Sequence, residues 1–167
     1  MCSALANRAQ TTMNLDSLND DFRDLLLALA DHGTEFVIVG AYALSFHGAP
    51  RASGGIDIFL RPSLDNSARV WKALLEFGTP VESAGIILAD FAKPDLVYQI
   101  GLSPRRIDLL TSISGVSFDE VWSSRVPAEV GGRVVHFIGR EMFIRNKQAA
   151  GRPKDLVDAA RLSKARK

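Results

Sequence analysis

Residues 37–60 read VIVGAYALSFHGAPRASGGIDIFL, and the fold turns on how this stretch is parsed. Glu35–Val39 (EFVIV) is a short β-branched apolar run of the kind that forms a buried strand. Gly40 interrupts it, and Ala41–Phe46 (AYALSF) reads as a short helix. His47–Gly55 (HGAPRASGG) is turn chemistry throughout, and Ile56–Leu60 (IDIFL) is a second strand with one carboxylate among apolar side chains. A strand that passes through glycine directly into a helix leaves unpaired N–H groups at the helix start. With the helix dipole, these suit a phosphate. Asp57 breaks the apolar pattern of its strand, and Asp108 does the same in RIDLL (106–110). Two such strands placing their carboxylates on one sheet face would converge on a divalent cation. Oxygen ligands favour Mg²⁺ over the metals that His and Cys sets hold.

Outward from this centre the pattern alternates. A helix is expected to open at Ser17, with Asp20 three residues on in a capping-box arrangement; Leu18, Phe22, Leu25, Leu26 and Leu29 recur at helical spacing, and Gly33 closes the run. Ser63–Phe77 forms a second amphipathic helix stopped by Gly78, with Val70, Trp71, Leu74 and Leu75 expected to face inward. Ile86–Leu88, Val97–Leu102, Ile107–Leu110 and Arg133–Ile138 are further strands, and Phe118–Ser123 is one helical turn. Two helices close the chain, Arg140–Ala150 and Pro153–Ala165, with Pro153 at a favoured first position. Strands interleaved with helices predict an α/β or α+β domain, a mixed sheet packed on one side by helices. Residues 15–167 read as one domain that includes the helices at 140–165, and residues 1–14 as a mobile polar tail.

The chain has 167 residues, 47% hydrophobic and 23% charged, which excludes a disordered chain. The net charge of +1 argues against a generic nucleic-acid coat, but it is unevenly spread. Residues 139–167 carry nine basic side chains against three acidic ones, a surplus of +6 that leaves −5 on residues 1–138. The single cysteine, Cys2, excludes an intrachain disulfide and a cysteine metal cluster. No secretory signal is visible, and the longest apolar stretch, Phe36–Phe46, is about half a membrane span. A soluble, cytoplasmic protein with no membrane partner is expected.

The order and spacing of these residues resemble the minimal nucleotidyltransferases of the polymerase-β superfamily, in particular the AbiEii-type toxin group. Their pattern is a strand, a Gly-Gly or Gly-Ser at a helix start, a His-Gly-x-x-Arg-x-Thr/Ser turn, Asp-x-Asp on the next strand and a third Asp on a neighbour. This sequence supplies Gly40, then His47, Gly48, Arg51 and Ser53, then Asp57, and Asp108 as the third carboxylate. The segment NKQAAGRPKDLVDAARL is similar to the one that closes many of these domains, and supplies Lys147, Gly151, Arg152, Lys154, Asp155 and Asp158. The resemblance spans Glu35 to Leu162. It implies a polymerase-β-like fold and transfer of a nucleoside monophosphate from an NTP to a hydroxyl acceptor, with release of pyrophosphate. Asp57 and Asp108 would be catalytic and hold Mg²⁺ (or Mn²⁺), Asp108 also assisting deprotonation of the acceptor. Gly40 and Ala41 would cradle phosphates through backbone N–H groups, and Arg51, Ser53 and Lys147 would bind them. The acceptor in toxin relatives is often tRNA, so tRNA or another RNA is an implied partner, with contacts from the basic closing helices, as is a cognate antitoxin protein.

Two positions depart from the family pattern. Ala41 replaces the second glycine, a mild change because alanine keeps its N–H. Gly55 stands where the first Asp of Asp-x-Asp belongs, so the site lacks a carboxylate that helps bind both ions of the two-metal mechanism. Three explanations stay open: a degenerate enzyme that still binds a nucleotide, recruitment of another carboxylate such as Glu82 or Asp90, or deliberate removal of the aspartate. The alternative to an enzyme is a catalytically inactive nucleotide- or partner-binding module of a toxin–antitoxin-like system. Simpler structural roles also stand beside the functional ones. Gly54–Gly55 can be a permissive turn, His47 a hydrogen-bonding anchor, Arg51 a helix cap, and Asp155 and Asp158 surface ion pairs. Nonspecific RNA binding through the basic tail is a further reading.

Overall fold

The computed structural model describes residues 18–165; the expected tail at 1–14 and the Ser17 cap lie outside them. Helix α1 (Asp20–Asp31) is capped by Asn19, whose side-chain oxygen accepts from the Phe22 N–H at 3.0 Å. Its buried stripe is Phe22, Leu25, Leu26, Ala28 and Leu29. Strand β1 (Phe36–Val39) is buried along its whole length and runs straight into α2 (Gly40–Phe46). Strand β2 (Gly55–Leu60) follows the 47–54 turn, and α3 (Leu64–Phe77) starts where Ser63 Oγ accepts from the Asn66 N–H. Gly78 ends α3 at φ +93°, a conformation only glycine adopts cheaply.

Strands β3 (Val97–Ile100), β4 (Arg106–Leu110), β5 (Val126–Val130) and β6 (Arg133–Phe137) complete the sheet, with α4 (Phe118–Ser123), α5 (Arg140–Ala150) and α6 (Pro153–Lys164) between and after them. The strand order is β3-β4-β2-β1-β6-β5. The β2–β4 and β1–β6 pairs are parallel and the other three antiparallel, so the sheet is mixed as expected. Helices pack on more than one side. At the end of β2, Ile58 and Leu60 point one way and Phe59 the other, and all three are buried. Phe59 meets Phe118 of α4 edge-on at 5.0 Å. The start of β2 is less covered, and Gly55 and Asp57 are only half-buried. No helix among the described residues is long and apolar enough to cross a membrane.

Two local expectations fail for physical reasons, and one strand was not foreseen. Residues 86–88 form no strand: Gly85 at φ +78° turns the chain and Leu88–Ala92 winds into a 3₁₀ helix, with Asp90 accepting from the Ile87 N–H. Trp71 packs against the core as expected, but Leu75 is 51% exposed, because the inward face of α3 is set by Val70, Ala73 and Leu74 together with the polar Asn66 and Ser67. Asn66 is buried because it serves three backbone groups: it accepts from Glu35 N–H and donates to the carbonyls of Glu35 and Arg61. β5 (VPAEV) carries Pro127, which hides it from strand patterning. As the outermost strand it tolerates a residue without an N–H.

Candidate active site

The two carboxylates meet because their strands are parallel neighbours in register, Asp57 opposite Asp108. Asp57 is also paired across β1 with Val39, and Asp108 across β3 with Gln99. Paired residues share a sheet face, so Gln99, Asp108 and Asp57 form a row that ends beside the β1–α2 junction. There the chain needs glycine twice over. Gly40 has φ +70°, and a Cβ on it would lie 2.1 Å from Asp57 Oδ2. The carboxylate therefore lies against the start of α2, where a phosphate cradle at Gly40 and Ala41 was expected. A phosphate placed there would face a carboxylate, and only a cation between them makes the arrangement favourable.

The pair is electrostatically strained. Burial, then the Asp108 charge, then a hydrogen bond between the two side chains push the Asp57 carboxyl up to about 6, while Lys147 and Arg106 pull it down. A shared proton between adjacent carboxyl groups is the usual resolution of such crowding. Asp108, 8% exposed, is gripped from its own strand: Arg106 Nε donates to Oδ1 at 3.0 Å and Nη2 to Oδ2 at 3.2 Å.

Gly55 lies opposite Arg106, and a Cβ built on it would stand 2.0 Å from the Arg106 carbonyl oxygen and 2.8 Å from its carbon. The missing carboxylate is thus also a position without room for one. Neither proposed substitute replaces it. Asp90 is held by Ile87 N–H and Lys93, and Glu82 is exposed in the 81–85 turn. No group of three His, Cys, Asp or Glu side chains suited to a metal exists among the described residues. These residues do not fit a two-ion centre. Two carboxylates are a set that a single Mg²⁺ commonly uses, with water and substrate phosphate completing the shell.

Lys147 joins the carboxylates. It projects from α5 with its side chain 13% exposed, lies 3.6 Å from Asp155 and is close enough to Asp57 to lower its pKa. Asp155 is buried, which pushes its pKa up. The Arg152 hydrogen bond and the charges of Lys147 and Arg152 outweigh this and hold it low. Arg51 is occupied: Nε and Nη2 each donate to an Asp158 oxygen at 2.9 Å, and Nη1 donates to the Ala52 carbonyl. With Arg161 on the Pro50 carbonyl, this pins the turn before β2 to α6. Ser53 Oγ donates to the Gly55 carbonyl and accepts from the Gly55 N–H, shaping the entry to β2. His47 donates Nε2–H to the Ile138 carbonyl at 2.7 Å, and burial pushes its pKa down, so it anchors the turn as a neutral ring.

Asp158 has 3% of its side chain exposed, so Arg51→Ala leaves a nearly buried carboxylate without its partner. A loss of about 3 kcal/mol in urea unfolding is expected, with part of it recovered when Asp158→Ala is added. Equal stability of Arg51→Ala and the parent would show that α6 does not hold this turn.

Sequence reasoning missed Arg106 and Gln99. Arg106 is signalled by spacing, since a residue two before Asp108 on a strand shares its face. Gln99 depends on the β3–β4 register, which no local pattern contains. Compared with known proteins, the sequence matches no family model and no curated protein.

Proposed function

We propose that this chain is a nucleotidyltransferase-like domain of the polymerase-β type that binds a Mg²⁺–NTP complex at Asp57 and Asp108 and passes the nucleoside monophosphate to a hydroxyl acceptor. The observation that carries the reading is the in-register carboxylate pair set against a glycine helix start. Asp57 and Asp108 would hold the cation, which, when bound, polarises phosphoryl oxygens and neutralises developing charge. Gly40 and Ala41 offer backbone N–H groups at the start of α2, and Lys147 offers a largely buried ammonium to the triphosphate. In the reaction the acceptor oxygen bonds to the α-phosphorus, the α–β anhydride bond breaks, pyrophosphate leaves and the acceptor proton passes to a carboxylate or water. RNA as acceptor draws less support from the basic closing helices than their charge suggests. Arg140 serves carbonyls of Leu162 and Ser163, Arg145 pairs with Glu120, and Arg152 and Lys147 share Asp155.

A second reading, a module that binds nucleotide or a protein partner without catalysis, is favoured by one specific observation: Gly55 supplies no carboxylate and has no space for one. Calorimetric titration of ATP with Mg²⁺, paired with transfer of labelled NTP to RNA, separates the two. Mg²⁺-dependent ATP binding that Asp108→Ala weakens by about tenfold or more is expected. Labelled product then identifies the enzyme, and binding without product identifies the module. Absence of Mg²⁺-dependent nucleotide binding in the parent protein overturns both the enzyme and the nucleotide-binding module.

A further inference from the structure

We propose that Arg106 is the resident counter-ion of this site, occupying Asp108 until a triphosphate draws it off, so that a divalent cation is bound only together with nucleotide. The inference rests on the nucleotide-binding reading above and adds the group that controls it. Arg106 engages both oxygens of Asp108, leaving neither without a cationic partner. Its fork is half used. Nε and Nη2 face Asp108, whereas Nη1 has no hydrogen-bond partner among the described residues and 38% of the side chain is exposed. A guanidinium has five N–H donors in one plane and can exchange a carboxylate for phosphate oxygens without losing its geometry.

The surroundings favour this exchange over metal binding alone. Asp57 and Asp108 are accompanied by Arg106 and Lys147, so the four formal charges cancel and a free divalent cation meets no net attraction. A Mg²⁺–triphosphate complex arrives with net negative charge and satisfies the guanidinium and the carboxylates at once. The β2–β4 spacing reinforces the arrangement. The Arg106 backbone closes the space beside Gly55, and a cation stands on the face where the family pattern would add a third carboxylate.

Titration of the nucleotide-free protein with Mn²⁺, read by electron paramagnetic resonance of the free ion, tests this directly. Weak Mn²⁺ binding is expected for the parent, with affinity rising about tenfold or more in Arg106→Gln, while Mg²⁺–ATP affinity falls by a similar factor. Arg106→Lys keeps the charge but cannot span both oxygens, and should tighten Mn²⁺ less than the glutamine variant does. It also provides the comparison if Arg106→Gln does not fold. Unchanged or weaker Mn²⁺ binding in both variants overturns the proposal. Adding Asp108→Asn to each variant separates this failure from failure of the site. If Asp108→Asn abolishes Mn²⁺ binding that was never tightened, only the role of Arg106 is wrong. If tight Mn²⁺ binding survives Asp108→Asn, the carboxylate pair is not the cation site and the proposed function falls with it.

Discussion

Asp57→Asn is expected to stabilise the metal-free protein at pH 7.5 while weakening its binding of Mg²⁺–nucleotide. The Asp57 carboxyl is held at about 6 in the folded protein, above its ordinary 3.8, chiefly by burial and by the charge of Asp108. A group with a raised pKa binds its proton more tightly in the folded state. Its stabilising contribution is complete below about pH 4 and is lost as pH rises through about 6, where the ionised carboxylate is forced beside Asp108. Asparagine keeps the shape of the neutral carboxyl at every pH. Asp57→Asn should therefore match the parent near pH 4 and exceed it by about 2–3 kcal/mol above pH 7, each pKa step being worth about 1.4 kcal/mol. Urea unfolding in EDTA at both pH values measures the gap. A variant less stable than the parent at pH 7.5, or a gap independent of pH, would contradict the crowding of the pair. Mg²⁺–ATP binding should weaken by about tenfold or more in the same protein, since a cation ligand is gone. Opposite signs for stability and binding mark a group kept for function at the expense of the fold.

The residues that meet at the β1–α2 junction were legible in the sequence where they broke a local pattern. Asp57 and Asp108 stood out as charges in apolar strands, and Gly40 as a glycine between a strand and a helix. The ends of α3, α4, α5 and α6 followed from caps and periodicity to within a residue. What stayed hidden depends on which strands are neighbours. Alternation assigns a face to a side chain but not a partner strand, so the Asp57–Asp108 register and the place of Gln99 in the same row emerge only from the folded sheet. Arg51 matched a phosphate-binding pattern, yet it is held by Asp158, 107 positions away. Only the packing of α6 against the 47–54 turn decides between those roles. Pro127 and the exposed positions of β5 hid a real strand, while the apolar residues 86–88 suggested one that Gly85 prevents.

Gly55 separates the two kinds of information most sharply. From the sequence it is a missing aspartate, and Gly55→Asp is the natural repair. The folded chain predicts the opposite outcome: Gly55→Asp should destabilise the protein by about 3 kcal/mol, lowering its melting temperature by roughly 10 °C, without creating or raising nucleotidyl transfer. The obstacle is backbone. A Cβ at this position stands 2.0 Å from the Arg106 carbonyl oxygen, so no choice of rotamer avoids the contact. Relief requires β2 and β4 to separate locally, and that is the spacing that sets Asp57 beside Asp108 two residues further along. A third carboxylate is gained only by disturbing the other two. Gly55→Ala shares the contact and carries no charge, so it should lose nearly as much stability as Gly55→Asp. A loss confined to the aspartate would point to charge instead. Thermal melts of both variants and labelled-NTP transfer in Mg²⁺ or Mn²⁺ provide the test. A Gly55→Asp protein as stable as its parent and more active would mean that the strands yield easily and that Arg106 does not define the site. A destabilised, inactive one would show why glycine stands there: the close β2–β4 approach that sets Asp57 beside Asp108 leaves no space for a side chain at residue 55.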